Sequence, residues 1–338
     1  MQNILICGGG NLGHVVAAWL SLQDGCAVSV LTRNPERWAS ALQLTLPDTS
    51  ARRAPLRSVT AQPAEAVPEA DIVLLCLPGF ALKPAMQQIA PYLSQGTKVG
   101  SVVSSTGFFQ FADEVLPAHT PLFGFQRVPF IARTTTYGHS AALLGFKSSL
   151  AVATENIDAA EDFCKQLSAW FGVEVALLKS RWEAALTNSN PLLHPARLYS
   201  LWSAWDGEPA DNVPGFYTDW TDEASTLLLA MDTEFQQLTQ ALHVRPGAIP
   251  PLTQYYESPD AAALTRKIRS IPAFQAIPAP MLQTPRGYIP DFAHRYFTED
   301  FPYGLRFAVQ QAQRLNLPIP TMQRVYDWGM KMINDTSA

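Results

Sequence analysis

The residue best placed for proton chemistry in this 338-residue chain is a histidine just inside a strongly signalled helix start. His194 closes the box Asn188-Ser189-Asn190-Pro191-Leu192-Leu193-His194-Pro195. Asn190 reads as an N-cap and Pro191 as the first helical residue, because a side-chain amide satisfies a free N–H and proline needs no donor there. His194 then lies one turn in, on the face of Asn190, and Pro195 removes a backbone donor from that turn. An imidazole exchanges protons near neutral pH, as a general acid or base must. Read locally, a histidine that only fills a helix core is an equal alternative. A second segment, His294-Arg295-Tyr296-Phe297-Thr298-Glu299-Asp300-Phe301-Pro302-Tyr303-Gly304-Leu305, is unusually polar for its aromatic content. Its aspartate could orient a histidine, and its arginine could grip a carboxylate with two parallel N–H groups. The alternative there is a surface turn with an ordinary salt bridge.

A third cluster supplies a different chemistry. Gly8-Gly9-Gly10-Asn11-Leu12-Gly13 follows an apolar strand at residues 3–7 and opens a helix at 11–22. Gly8, Gly10 and Gly13 fit G-x-G-x-x-G, where the glycines allow a tight turn, backbone approach to a pyrophosphate and close helix–strand packing. A second strand, 27–31, ends at Leu31 and is followed by Thr32-Arg33-Asn34, with no acid to accept bonds from a ribose 2′-hydroxyl. Thr32 and Arg33, with Arg37 nearby, suit a 2′-phosphate instead; a solvated loop charge is the plain alternative for Arg33. A nicotinamide dinucleotide is therefore expected, NADP(H) preferred and NAD(H) second. Gly8, Gly10, Asn11, Leu12, Gly13, Thr32, Arg33 and Pro78, which stops the third strand, are the expected cofactor residues.

These residues need a scaffold. The continuous apolar run 71–77 suits a strand buried on both faces of a parallel sheet, and 98–103 repeats the pattern after a helix at 81–93. Further strands are expected near 122–131 and at 149–154. From about Arg181 the pattern turns to long helices at 183–205, 217–243 and 304–315, without convincing strands. The expected fold is α/β: a doubly wound Rossmann domain over 1–182, then an all-helical substrate domain over 183–338.

Three separated motifs resemble the opine dehydrogenases, the family of octopine and nopaline dehydrogenases: the N-terminal GGGNLG, the NPLLHP box and RYFTEDFPYGL. Weaker echoes are Gln126-Arg127-Val128-Pro129-Phe130 with Arg133, and Phe216-Tyr217 followed by Met231-Asp232-Thr233-Glu234. The resemblance implies an active site in the cleft between the domains and reductive condensation of an amino acid with an α-keto acid through an imine. It implies His194 as the proton-transfer residue, Asp300 as its partner and Arg295 as a substrate or dyad-positioning residue. Asn190, Arg133 and Gln126 fall on the substrate side. His294, His14, His119, His139 and His243 read as bystanders, and Tyr199, Trp202 and Trp205 as helix packing ahead of pocket lining. Phe146 in Leu144-Gly145-Phe146-Lys147 departs from the small polar residue of several members, and the chain is shorter than some relatives; both bear on substrate choice.

A ketopantoate-reductase-like or hydroxyacid dehydrogenase shares this plan but relies on a lysine in the second domain. The only lysines beyond the boundary, Lys267 and Lys331, lie outside any Asn-rich or helix-start box. A non-catalytic nucleotide sensor is the other rival, and the His194, Arg295 and Asp300 set argues against it. A net charge of -5 argues against nucleic acid as a partner, and no apolar run approaches a bilayer span. With a first strand at residues 3–7 no leader is expected, and four cysteines without metal spacing suggest reduced thiols in the cytoplasm and no metal site. The expected partners are the two small substrates, and a homodimer fits the sequence without being specified by it.

Overall fold

The computed structural model describes residues 1–337, which divide into two compact units, Met1–Ala185 and Leu186 onward. The first contains β1 (Gln2–Cys7), α1 (Asn11–Ser21), β2 (Cys26–Leu31), β3 (Ala41–Thr45), β4 (Ala51–Pro55), β5 (Ser58–Thr60), α2 (Pro63–Ala66), β6 (Ile72–Leu75) and α3 (Gly79–Ile89). It continues through β7 (Lys98–Ser101), α4 (Phe108–Val115), β8 (Leu122–Phe125), β9 (Phe130–Thr136), β10 (Ser140–Phe146), β11 (Ser149–Glu155), α5 (Ala160–Phe171), β12 (Glu174–Leu177) and α6 (Arg181–Ala185).

The main sheet runs β12-β11-β8-β7-β6-β1-β2-β5. The stretch from β5 to β8 is parallel and has the Rossmann strand order, reversing direction between β1 and β6. Every residue of β6 is buried, as its unbroken apolar sequence requires. A second sheet, β4-β3-β10-β9, covers the other side of α1. This explains why α1 buries His14, Val15, Val16, Ala17, Ala18 and Leu20 around nearly its whole circumference. The expected strand near 122–131 is two strands, β8 and β9, in different sheets; Pro129 interrupts the run between them.

The first unit ends after Ala185 rather than at residue 182. A break at 182 would cut α6, which the sheet holds: Arg181 pairs with Asp113 at 2.8 Å and Glu155 at 3.1 Å, and the Glu183 carbonyl accepts from Gln126 at 2.8 Å.

The second unit is helical: α7 (Asn190–Trp202), α8 (Asp222–Ala241), α9 (Leu252–Tyr255) and α10 (Ala261–Ser270) precede one hairpin, β13 (Met281–Thr284) and β14 (Gly287–Pro290). Then come α11 (Arg295–Thr298), a π turn over Phe301–Leu305, α12 (Arg306–Arg314) and α13 (Pro320–Ser337). The hairpin was not expected from the sequence. Its tight turn places Gly287 at φ 129°, hard against the Ala210 carbonyl, where a side chain is not tolerated. Helices 183–205 and 217–243 are each shorter than their apolar pattern, because Ser189 and Thr221 cap new starts at α7 and α8. No described helix is long and apolar enough to cross a membrane.

Candidate active site

In the first unit, the glycine loop lies at the carboxyl end of β1, beside the point where strand order reverses. Gly8 has φ 124°, and a Cβ there would meet the Cys76 carbonyl oxygen at the end of β6. A Cβ on Gly13 would collide with the Gly8 carbonyl oxygen, so the helix can approach the strand only through glycine. Around Gly10 there is open space, and α1 starts there with no side-chain cap and no acid in its first turn. The amides of Asn11, Leu12 and Gly13 thus face a roomy, uncapped helix end that favours an anionic group. The residues present fit a dinucleotide pyrophosphate. Pro78 caps α3 at the carboxyl end of β6, the other side of the switch point.

An aromatic cluster absent from the sequence reading backs this loop. His14 Nε2 accepts from the Gly138 amide at 2.7 Å, which makes Nδ1 the protonated nitrogen; it lies 3.0 Å from the Gly10 carbonyl. His14 also stacks on Trp38 at 4.2 Å. It is a structural tie between the loop and the β9–β10 turn, and burial holds its pKa below the ordinary histidine value. Thr32 is buried, and its hydroxyl is 3.2 Å from that of Tyr137, whose ring Arg37 overlies at 4.5 Å. Thr32 is therefore already partnered, whereas Arg33 is exposed beside it. Asn11 Oδ1 accepts from the Thr134 amide at 2.9 Å, which places the exposed Arg133 one residue from the glycine loop. Gln126 sits at the carboxyl end of β8, its amide held by the Glu183 carbonyl at 2.8 Å.

In the second unit, α7 begins one residue earlier than its sequence suggests. Ser189, not Asn190, is the N-cap; its hydroxyl accepts from the Asn190 amide at 2.7 Å. Asn190 is thereby the first helical residue, exposed, one turn before His194. Asn188 of the same box donates to Asp232 at 2.7 Å, and Asp232 accepts from the Leu252 amide at 2.7 Å. Glu234 accepts from the amides of Thr321 and Met322, both at 2.8 Å, capping α13. The Met231–Glu234 motif is thus bracing for the helices.

The structure brings His194 and Asp300 together, 106 residues apart in sequence, at Nδ1···Oδ2 2.7 Å. A carboxylate only accepts, so Nδ1 carries the hydrogen. Two close approaches fix this aspartate. Phe301 seats against Gly329 of α13, and Gly304 of the π turn abuts Pro191 of α7; a side chain on either glycine would clash. Tyr296 stacks on the imidazole at 4.1 Å and 28°. His194 is 5% exposed, so the ring is clamped in a nearly dry environment. His294 caps α11, and burial together with neighbouring Arg295 and His194 depresses its pKa, against the opposing pull of Asp291 and Asp300. Arg295 is exposed beside it.

Sequence reasoning missed what holds the other imidazole nitrogen. The Tyr217 hydroxyl lies 2.8 Å from His194 Nε2. Burial, then Tyr296, which also hydrogen-bonds the Tyr217 hydroxyl, and Tyr256 and Asp300 nearby, push the Tyr217 pKa well above the ordinary phenol value. Phe216-Tyr217 was visible only as a weak echo; nothing in its spacing links it to position 194. Tyr199 and Trp202 pack against aromatic side chains within the unit: Tyr199 against Trp328, and Trp202 against Phe292 and Phe297. Trp205 contacts Phe292. His119, His139 and His243 are exposed, the first and last in left-handed turns. All four cysteines are free; Cys26 is only partly buried, and no group of metal-ligating residues occurs among the described residues.

Comparison with known proteins matches residues 177–333 to the family described as NAD/NADP octopine/nopaline dehydrogenase, alpha-helical domain. Residues 4–134 match ketopantoate reductase PanE/ApbA. An uncharacterized protein, y4xO, of Sinorhizobium fredii is 30% identical over 97% of this chain and 94% of its own. Octopine dehydrogenase of Mizuhopecten yessoensis is 28% identical, covering 98% of this chain and 90% of its own. A solved octopine dehydrogenase with NADH and L-arginine superposes with a TM-score of 0.86 at 26% identity, covering 99% of this chain and 90% of the other.

Proposed function

The chain belongs to the octopine/nopaline dehydrogenase family, an oxidoreductase family, and from that premise we propose that it is an NAD(P)H-dependent opine dehydrogenase. It joins the amine of an amino acid to the keto carbon of an α-keto acid, eliminates water and reduces the resulting imine to a secondary amine dicarboxylate. The observation that carries this reading is the buried imidazole of His194, oriented by Asp300, in a chain whose other unit has an uncapped glycine-loop helix end.

The bound nicotinamide coenzyme supplies the hydride. The amides of Asn11, Leu12 and Gly13, with Gly8 and Gly10 keeping the loop low, hold its pyrophosphate, and Pro78 borders the same switch point. Arg33 takes a 2′-phosphate beside Thr32, with Arg37 adding a second positive charge, so NADPH is favoured over NADH. His194 accepts a proton as the amine attacks and returns one as the hydroxyl of the adduct leaves as water. Asp300 keeps the ring in one tautomer throughout. In the second unit Arg295 neutralises a substrate carboxylate and Asn190 shares the face of His194; in the first unit Arg133 offers a second positive charge and Gln126 a polar group for substrate. Both substrates are anionic, so holding them together is a large part of the catalysis.

The match of residues 4–134 to ketopantoate reductase favours a second reading, reduction of a keto acid without amine. Against it, Lys267 is paired with Glu257 at 3.0 Å. The test is to supply 4-deuterated NADPH, an amino acid and a keto acid, and to weigh the product. A secondary amine dicarboxylate carrying the label supports the opine reading; labelled hydroxy acid alone refutes it.

A further inference from the structure

Arg197 lies three residues beyond His194 on α7 and is 2% exposed. Among the described residues its head makes no ion pair. Instead its Nε donates to the Phe216 carbonyl at 2.7 Å, and Nη2 donates to the carbonyls of Asp219 at 2.8 Å and Gly215 at 3.2 Å. Burial lowers its pKa to about 10, so the charge is kept at a cost, and three carbonyls on both sides of residue 217 are what it holds. The Asp219 carboxylate closes the same turn by accepting from the Gly215 amide at 2.7 Å. The Tyr217 ring is wedged flat against Phe274 at 4.0 Å and 15°, parallel to Trp220, and is 3% exposed.

A proton leaves or enters His194 only at Nε2, because Asp300 holds Nδ1–H. The Tyr217 hydroxyl stands on Nε2, and a ring anchored on both flanks by α7 itself does not swing aside for a ligand. We propose that Tyr217 is a catalytic relay: protons pass between His194 and the substrate through its hydroxyl. This rests on the opine reading for the identity of the substrate only. In the delivering direction the Nε2–H bond breaks and its proton goes to the phenol oxygen. The phenol's own proton passes to the departing hydroxyl of the amine adduct, whose C–O bond breaks to release water. The positive charge moves from imidazolium to iminium, and the phenol ends as it began, never ionised. That suits a buried phenol, since Tyr296, Tyr256 and Asp300 around it all disfavour a phenolate; His294, Arg295 and Asp291 are the further titratable groups of this neighbourhood.

Tyr217→Phe keeps the ring stack and removes only the relay oxygen. The expected result is a fall in kcat of about 100-fold, the scale of general acid–base catalysis, with KM for coenzyme unchanged. In mixtures of H2O and D2O, wild-type kcat under single turnover bows below a straight line, because two protons move together; the variant gives a straight line. Fluorotyrosine at 217 is the second variant: it keeps the shape and acidifies the phenol, and the single-turnover rate should change while the melting temperature does not. A folded Tyr217→Phe enzyme within threefold of wild type, or a rate indifferent to fluorination, overturns the relay. The two readings separate cleanly. Loss on Tyr217→Phe in an enzyme that reduces keto acid alone keeps the relay and sinks the opine reading. Amine-dependent turnover indifferent to Tyr217→Phe does the reverse.

Discussion

Replacing Asp300 with asparagine removes one negative charge and almost no volume, so its effect isolates what the carboxylate does for His194. The two side chains are 6% and 17% exposed and meet at 2.7 Å, short enough for a charge-assisted bond and dry enough for little solvent screening. Such bonds contribute about 1.5–3 kcal/mol, which is a factor of roughly 10–150 if the interaction is realised fully when the ring carries charge in transit. Asparagine also offers an N–H. If that group donates to Nδ1, the ring must carry its hydrogen on Nε2 and donate to Tyr217, the reverse of the wild-type polarity. Stopped-flow oxidation of NADPH with saturating substrates should therefore show Asp300→Asn slower by about 10–150-fold. Coenzyme affinity, measured by fluorescence titration, should be unchanged. His194→Ala should cost about 100-fold or more. The double variant should be no worse than His194→Ala, because residues acting as a unit do not lose twice. A folded Asp300→Asn enzyme at wild-type speed, or losses that multiply, would refute the coupling.

The two glycines of the loop should part company. Gly13→Ala meets the Gly8 carbonyl oxygen and should destabilise the fold by about 1–3 kcal/mol in urea melts. Gly10→Ala enters open space and should fold normally while weakening coenzyme binding. Histidine burial gives a signed pH effect. The folded pKa values of His14 and His294 lie below the unfolded value of about 6.5, so the stability they confer is complete above that pH. It is lost as pH falls from there toward the folded values, at up to about 1.4 kcal/mol per unit for each. His14→Gln should flatten the slope of unfolding free energy between pH 6.5 and the folded value, at a lower overall stability; an unaltered slope contradicts the assignment. Arg33→Ala should reduce the kcat/KM ratio of NADPH to NADH by roughly 10–100-fold. A wild-type preference for NADH would contradict the coenzyme assignment outright.

The parts legible in the sequence are those whose reasons are local. The glycine loop, the unbroken apolar β6 and the cap-and-proline start of α7 announce themselves within a few residues, although the cap slid from Asn190 to Ser189 because the serine hydroxyl reaches the first free amide. What stayed hidden depends on distant pairing. The second sheet pairs Gln43 with Ser140, and its strand Ala51-Arg52-Arg53-Ala54-Pro55 is exposed at all but one position, so no apolar run marks it. His14 looked idle because its partner, the Gly138 amide, lies 124 residues away. Asp300 was reached through motif resemblance, since nothing local aims it at position 194. Tyr217 needed the Arg197 clamp to be seen, and a buried arginine hydrogen-bonded to backbone carbonyls has no sequence signature.

The central claim is that hydride is delivered to the imine of an amine and a keto acid. Its most direct test is the rate of NADPH oxidation across a matrix of amino acids against pyruvate, α-ketoglutarate and oxaloacetate, with each keto acid also assayed alone. Turnover that requires both partners, and that disappears in His194→Ala, is the predicted result. Oxidation by a keto acid alone at the rate of the mixture would contradict it.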